Sequence, residues 1–471
     1  MISSTQTIIS LAAFLVPALA QVNCTLKPDY PAPVTSNGWS AQLVYKELDA
    51  PRSIVFDSAG NMLVADRSEG IVRLAFEDGG GTCLSVLNST KVIDNPNLNH
   101  GLALSADSRT IYASTSSSVF SWSYDPTTGT VTGANTTLIT GMQNGEHVTR
   151  TLMMSQSQPG MLVVSRGSGD NLDFSAASTS SGRAQIRAFD VTNITEPLDY
   201  STSGVRLGYG LRNSVGVAED PSTGGIYSVE NSADEVERNG VDIHVNNPGE
   251  ELNFHGYLND TTERGNYGYP NCFALWNTSI PDLGDLKVGD QFALNQSTNL
   301  NDQYCETQTT APRLTFQAHT APLDILFQPN GSEAYVSFHG SWNRDSPIGY
   351  SITSLPFAGG NPTLPSDSTN TSNIIIQNPD NKVCPDSCFR PVGLALDGKG
   401  RLWFSSDSTG EVWVMERTGV STGTVGGSGT GGSATSAGAP AASETKAGAG
   451  RVSPGFVSVL VVGVAIAFAL V

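Results

Sequence analysis

Positive charge is scarce in this chain: 25 lysines and arginines stand against 44 aspartates and glutamates, a formal net charge of −19 over 471 residues. No basic stripe stands out against that background, which excludes nucleic acid as a partner. Charged residues of both signs make up only 15% of the chain, few for a fold of solvated helices. The abundance of Gly, Ser, Thr, Asn and Pro instead favours strands joined by turns. Cysteine is sparse too. The six present lack the thiolate spacing of a zinc site, which argues against a structural metal of that kind. In an exported chain they read as oxidised pairs, and the local pairing Cys24–Cys83, Cys272–Cys305 and Cys384–Cys388 is preferred among the connectivities open.

The two ends carry address signals. Ile8 to Leu19 is an apolar run too brief to span a bilayer, and Ala18-Leu19-Ala20 after it is a small-x-small cleavage pattern, so residues 1–20 read as a secretory signal peptide, although no basic residue follows Met1. Asn-x-Ser/Thr sequons recur from Asn23 and Asn88 through Asn135, Asn193, Asn259, Asn277, Asn295 and Asn330 to Asn370, the pattern of an extracellular glycoprotein with those loops exposed. Residues 419–450 are almost all Gly, Ser, Thr and Ala, a tether that cannot bury a core. Residues 451–471 then supply a short spacer and an uncharged apolar tail, the pattern of a glycolipid (GPI) anchor signal, with a short single span as the rival reading. The expected location is therefore the cell surface, with membrane contact only through a lipid anchor, and the expected state is a monomer.

What fills residues 21–418 is a repeat: a hydrophobic strand, an Asp-x-x-Gly type of turn, a second hydrophobic strand, and a polar residue where that strand ends. Ile54 to Asp66, Val217 to Glu230 and Leu394 to Asp407 show it plainly. Repeats begin near Ile54, Leu102, Leu152, Val217, Leu323 and Val392, often with a third strand such as Ile71–Leu74 or Val412–Met415. Their number and turn spacing predict an all-β, six-bladed β-propeller in one domain. The long interval Val236 to Gln317 reads as a decorated insertion on one face.

Propeller blades send equivalent strand ends to one mouth of a central channel, so polar residues far apart in sequence converge there. At or near those positions stand Arg52, His147 and Arg150, Arg212 and Asn213, His339 with Trp342 and Arg344, and Arg390. Singly, each arginine is as well explained by a tie between blades. Together, so many guanidinium groups at one mouth would repel unless an anion lay between them. His147 can serve as a general base or only bond a neighbouring loop. Trp342 can pack in the core or form a wall for a flat cofactor or sugar ring.

Ordered motifs then carry a resemblance: Gly210-Leu211-Arg212-Asn213-Ser214-Val215-Gly216, Asn247-Pro248-Gly249-Glu250-Glu251-Leu252-Asn253, Ala318-His319-Thr320-Ala321-Pro322-Leu323, His339-Gly340-Ser341-Trp342-Asn343-Arg344 and Arg390-Pro391-Val392-Gly393. Across Arg52 to Thr418 the chain resembles the fungal pyrroloquinoline quinone (PQQ) dependent pyranose dehydrogenases and sorbosone-dehydrogenase-like proteins, and more distantly the bacterial soluble quinoprotein glucose dehydrogenases. The resemblance implies PQQ and Ca2+ at the channel mouth and His147 as the catalytic base. It implies Arg212 and Asn213 beside the quinone carbonyls, and Arg52, His339 and Arg390 against the cofactor's carboxylates or face. Where soluble glucose dehydrogenases place a Gly-Pro pair, this chain has Glu230-Asn231-Ser232-Ala233, so the backbone of Ser232 and Ala233 is the expected calcium ligand set. The implied substrate is a small sugar oxidised at its anomeric carbon to a lactone. Neither a haem-attachment pattern nor a second folded domain is recognisable, so electrons are expected to pass to a separate acceptor such as a secreted haem protein or a copper oxygenase. Two rivals remain at this point: a non-catalytic propeller that binds wall glycans, and a calcium-dependent lactonase.

Overall fold

The computed structural model describes residue 22 and residues 24–260, 265–371 and 373–419. The expected signal peptide, the Asn23 sequon, the tether beyond 419 and the anchor signal lie outside the described residues. Between them the chain forms six sheets, antiparallel but for the short parallel edge Leu198–Asp199 of the second, the blades of a propeller. Their innermost strands are Pro51–Phe56, Leu102–Leu104, Leu152–Met154, Ser214–Glu219, Pro322–Phe327 and Pro391–Leu396. Each expected repeat start falls in or beside one of them. The ring closes by pairing ends: Trp39–Tyr45 adds as the outer strand of the sixth blade, antiparallel to Glu411–Arg417.

The turn chemistry is visible at residue level in the first blade. Asp57 Oδ1 accepts the amides of Ala59 and Asn61 at 2.9 Å each, and the Asp57 amide reaches the Asn61 carbonyl at 2.8 Å. Gly60 closes the turn at φ 80°, a conformation a Cβ disfavours. Because no atom lies within 4 Å of where that Cβ would stand, Gly60→Ala isolates the backbone term. It is expected to cost about 1 kcal/mol, a melting-point fall of roughly 1 °C by calorimetry for a fold of this length.

The strands alternate so that both faces of each blade pack on neighbours, and the apolar clusters sit between consecutive blades. Between the sixth and first, Ile54, Met62, Val64, Trp403 and Val414 are buried together, with Trp403 4.9 Å from the Phe76 ring and 5.4 Å from Phe56. Equivalent clusters join the remaining pairs. Burial of such side chains, on the order of 2 kcal/mol each, therefore holds blade to blade around the ring and leaves the channel free for polar groups.

The interval from Val236 to Gln317 departs from expectation. It is not one insertion, because it contains the third and fourth strands of the fourth blade, Glu250–Tyr257 and Leu314–Phe316. Excursions precede and follow the third strand. The second carries the α-helix Asp302–Gln308 and the Cys272–Cys305 disulfide. The segments around Ala233, Val236, Ile243, Phe273 and Phe292 bury a separate core on the mouth side. The other two preferred disulfides, Cys24–Cys83 and Cys384–Cys388, are present as well. The asparagines of the described sequons are exposed except Asn277, which is half-buried.

Candidate active site

Where the innermost strands begin, the channel opens into a cavity of about 420 Å³, within the size range of small-molecule sites. His147, Arg212, Asn213, Ser232, His339 and Arg390 all line it, and Trp342 forms part of its edge. A cavity of about 490 Å³ at the other end of the channel is walled by apolar residues such as Leu102, Met153 and Phe327 and gathers none of these candidates.

His147 is held in the left-handed region at φ 45°, which aims its ring back over the loop after Arg166. Its Nδ1 lies 2.9 Å from Ser168 Oγ and 3.2 Å from the Ser168 carbonyl. The Ser168 hydroxyl spends its proton on the Asp170 carbonyl at 2.7 Å. Both atoms facing Nδ1 are therefore acceptors, Nδ1 carries the hydrogen, and Nε2 is left as the lone-pair nitrogen at the cavity wall. Burial first, and the nearby Arg212 charge second, push the imidazole down to about 4, so it is neutral and able to accept a proton across ordinary pH. The unfolded histidine takes up its proton as pH falls through about 6.5, whereas the folded one resists until about 4. Stability at this site is thus full above pH 6.5 and is lost on the way down to pH 4. We expect the wild-type minus His147→Gln difference in urea unfolding to shrink by on the order of 3 kcal/mol between pH 7 and pH 4.

Arg212 is braced rather than loose. Its Nη2 donates to Asn171 Oδ1 at 2.8 Å and pairs with Asp234 Oδ2 at 3.2 Å, while its own amide donates to Glu230 Oε1 at 2.6 Å. Asp234 is a hub, since its Oδ1 also takes Asn343 Nδ2 at 2.9 Å and His319 Nδ1 at 3.2 Å. Burial opposes the Asp234 charge, yet His319 and Arg212 together hold its carboxyl below the usual range. Arg390 differs. Its Nε and Nη2 donate to the carbonyls of His339 and Gly340 at 3.1 and 2.9 Å, and no ion pair of Arg390 occurs among the described residues. That leaves a positive charge in the cavity wall with no carboxylate in contact, only the field of Asp407 from behind it.

Arg52 lies behind the wall rather than on it. Its Nη1 pairs with Asp407 Oδ2 at 2.5 Å, its Nε donates to His100 Nδ1 at 3.2 Å, and the other Asp407 oxygen takes His339 Nε2 at 2.8 Å. Burial works against the Asp407 charge, but His339 and Arg52 hold the carboxyl well below the usual range. His339 is thereby fixed with Nε2–H on Asp407. Arg150 is fully buried, with its guanidinium donating to the carbonyls of Met142, His147 and Thr149 at 2.5–2.6 Å. It braces the His147 loop and does not line the cavity. Arg344 donates to the carbonyls of Val245 and Ser346 at the rim. Trp342 is 66% exposed and not part of the core. The Ser232 amide donates to Glu250 Oε2 at 2.7 Å and the Ala321 amide to Oε1 at 3.2 Å, while the Ala233 side chain is buried in the mouth-side core.

Asp407, Asp234, Glu250 and Ser168 were not singled out by sequence reasoning. A signal existed for Asp407: it is the polar residue closing the repeat that starts at Leu394, as Asp66 and Glu230 close theirs. Glu250 stood within one of the motifs that carry the resemblance, but its role and that of Ser168 were not readable, because their partners lie across loops whose geometry no local pattern encodes.

A six-bladed propeller of this kind is the fold of the PQQ-dependent sugar and pyranose dehydrogenases. The TrAA12-like family model matches residues 33–418, and the chain belongs to that family. It is 50% identical over 421 residues to the pyrroloquinoline quinone-dependent sugar dehydrogenase of Hypocrea jecorina (strain QM6a), covering 87% of this chain and 96% of that one. The calcium structure of the Trichoderma reesei carbohydrate-active enzyme of family AA12 superposes with a TM-score of 0.82 at 52% identity, over 83% of this chain and 99% of that one. The holo form of the pyranose dehydrogenase PQQ domain from Coprinopsis cinerea gives 0.79 at 36% identity, over 83% and 98%.

Proposed function

We propose that this chain is a PQQ-dependent dehydrogenase of pyranoses and ketoaldoses, oxidising the anomeric carbon to a lactone and passing electrons to an external acceptor. One observation carries the reading: the acceptor nitrogen of His147 and the unpaired guanidinium of Arg390 share the wall of a single cavity. PQQ has three carboxylates, so an anion of that kind meets the charge that Arg390 leaves unmatched, with Arg212 adding a second positive field. A calcium ion fits the oxygen-rich side of the cavity, where the Ser232 and Ala233 carbonyls remain the proposed ligands and the Glu250 carboxylate joins them as a neighbour. Burial raises that carboxyl to about 6, against the pull of the Ser232 and Ala321 amides and of His319.

Bound there, the quinone supplies a hydride acceptor and the metal ion a Lewis acid. The chain's own residues do the rest. His147 Nε2 takes the proton of the anomeric hydroxyl, and Ser168 keeps the ring in the tautomer that can do so. Arg212, immobilised by Asn171 and Asp234, offers a fixed positive charge where negative charge develops, with no reorganisation needed. Arg390 holds the cofactor's carboxylates, with His339 beside it on the wall and Arg52 behind. Trp342 supplies an aromatic face at the entrance. The disulfides and exposed sequons support the proposed extracellular, cell-surface location. The test is reconstitution: apoprotein given PQQ and calcium should show a bound-quinone absorption spectrum and sugar-dependent dye reduction. Absence of both would leave a glycan-binding propeller as the better reading.

A further inference from the structure

Oxidation of one sugar to its lactone releases two electrons and two protons. If the electron carrier stays in its cavity, the electrons leave through the mouth, and what surrounds the mouth then decides which acceptor can approach.

Two kinds of side chain stand there. Trp342 both lines the cavity and is 66% exposed, and Phe174 at 66%, Val241 at 51% and Val245 at 51% are exposed on neighbouring loops. These loops are tied together: Arg344 donates to the Val245 carbonyl, Asn343 to Asp234, Asn171 to the Asp234 carbonyl, and the Glu235 amide to His244. Ala176, beside Phe174, shares a buried cluster with Ala233, Val236 and Ile243. Exposed acids are interspersed among the apolar groups: Glu146, Asp170, Glu235, Glu237, Asp242 and Asp345. The nearby cations cancel little of this: Arg183 is already paired with Asp173, and Arg344, donating to backbone carbonyls, offsets one of the six acids. An apolar centre within an acidic surround is a protein-docking surface rather than the approach to a small dye.

We propose that this mouth-side surface docks a one-electron redox protein whose own apolar patch is ringed by lysine and arginine. The inference rests on the dehydrogenase reading above and names the partner of the same site. Two such acceptors are reduced for each sugar oxidised, each taking one electron, and the two protons pass to solvent. Opposite charge steers the encounter and makes it sensitive to salt, while the apolar centre and Trp342 bring the partner against the cavity edge.

The test uses the PQQ- and calcium-loaded full chain with sugar and three oxidised acceptors: a lysine-rich c-type cytochrome, an acidic blue-copper protein and uncharged benzoquinone. The triple variant Glu237→Lys, Asp242→Lys, Asp345→Lys changes exposed residues outside the cavity wall. The wild type should reduce the basic cytochrome at least tenfold faster than the acidic protein, with a rate that falls as salt rises. The variant should lose tenfold or more with the cytochrome and keep its benzoquinone rate. Equal cytochrome rates for wild type and variant, or preference for the acidic protein, overturn the proposal. So does a dimer in sedimentation that the lysines dissolve without changing cytochrome reduction, since the patch would then pair two copies of this chain. If the wild type fails even with benzoquinone, the dehydrogenase reading falls and the docking proposal with it.

Discussion

His147→Ala is expected to lower kcat/KM for the sugar by about 10²–10⁴-fold, the range a positioned general base contributes, while the protein still binds its cofactor. The two halves of that expectation come from different atoms. Only Nε2 is available to a substrate proton, because Nδ1 is committed to Ser168. No hydrogen bond runs from the ring to Arg390, Arg212 or Asn213, so the groups proposed to hold the cofactor stay in place when the ring goes. Alanine fits φ 45° somewhat less well than histidine, a cost that falls on stability and that His147→Gln read beside it would separate from loss of the base. Stopped-flow reduction by sugar together with equilibrium titration of PQQ separates the two quantities. A His147→Ala protein that turns over normally would mean that another group, His339 or His319, removes the proton. Ser168→Ala should give a smaller loss, about tenfold, since it removes one of two acceptors that fix the tautomer.

Much of this geometry can be read from the chain because a propeller is a local code repeated. A strand such as Ile54 to Phe56, a turn such as Asp57 to Gly60 and a second strand make a unit whose hydrogen bonds close within about a dozen residues. Closure of the ring is less legible: Trp39–Tyr45 pairs with Glu411–Arg417 across nearly the whole chain, and neither strand announces the other. Convergence of His147, Arg212, His339 and Arg390 followed from the topology alone, since equivalent strand ends must face one mouth. What the topology did not reveal is which arginines face a ligand and which face protein. Arg150 and Arg390 look alike in sequence, each near the start of an innermost strand. Yet the Arg150 guanidinium fills with three carbonyls, because the 142–149 loop folds back over it. The fourth blade was misread for a related reason. Its third and fourth strands are separated by a disulfide-bearing excursion, so the period of the repeat is stretched beyond recognition there.

The distinction between paired and unpaired arginines leads to opposite expectations for two neighbours. Asp407→Asn removes the charge that balances Arg52 and orients His339. Both members of the Arg52–Asp407 pair are largely buried, with side-chain exposures of 10% and 16%, and breaking such a pair costs about 3–5 kcal/mol. The apoprotein should therefore melt well below wild type. The same substitution removes a negative charge whose field reaches Arg390 on the cavity wall, so PQQ should restore more stability to Asp407→Asn than it adds to wild type. Arg390→Ala should behave in the reverse manner. No carboxylate is left stranded, and a buried positive charge that burial already penalises is removed, so the apoprotein should melt at or above the wild-type temperature. Cofactor affinity should fall by about 30- to 150-fold, the equivalent of about 2–3 kcal/mol for charge-assisted hydrogen bonds. Calorimetric melting of both variants with and without PQQ reads all four numbers. Should Arg390→Ala destabilise the apoprotein as much as Asp407→Asn does, its guanidinium is a structural tie to the His339 and Gly340 carbonyls, and the anion site must be sought at Arg212 instead.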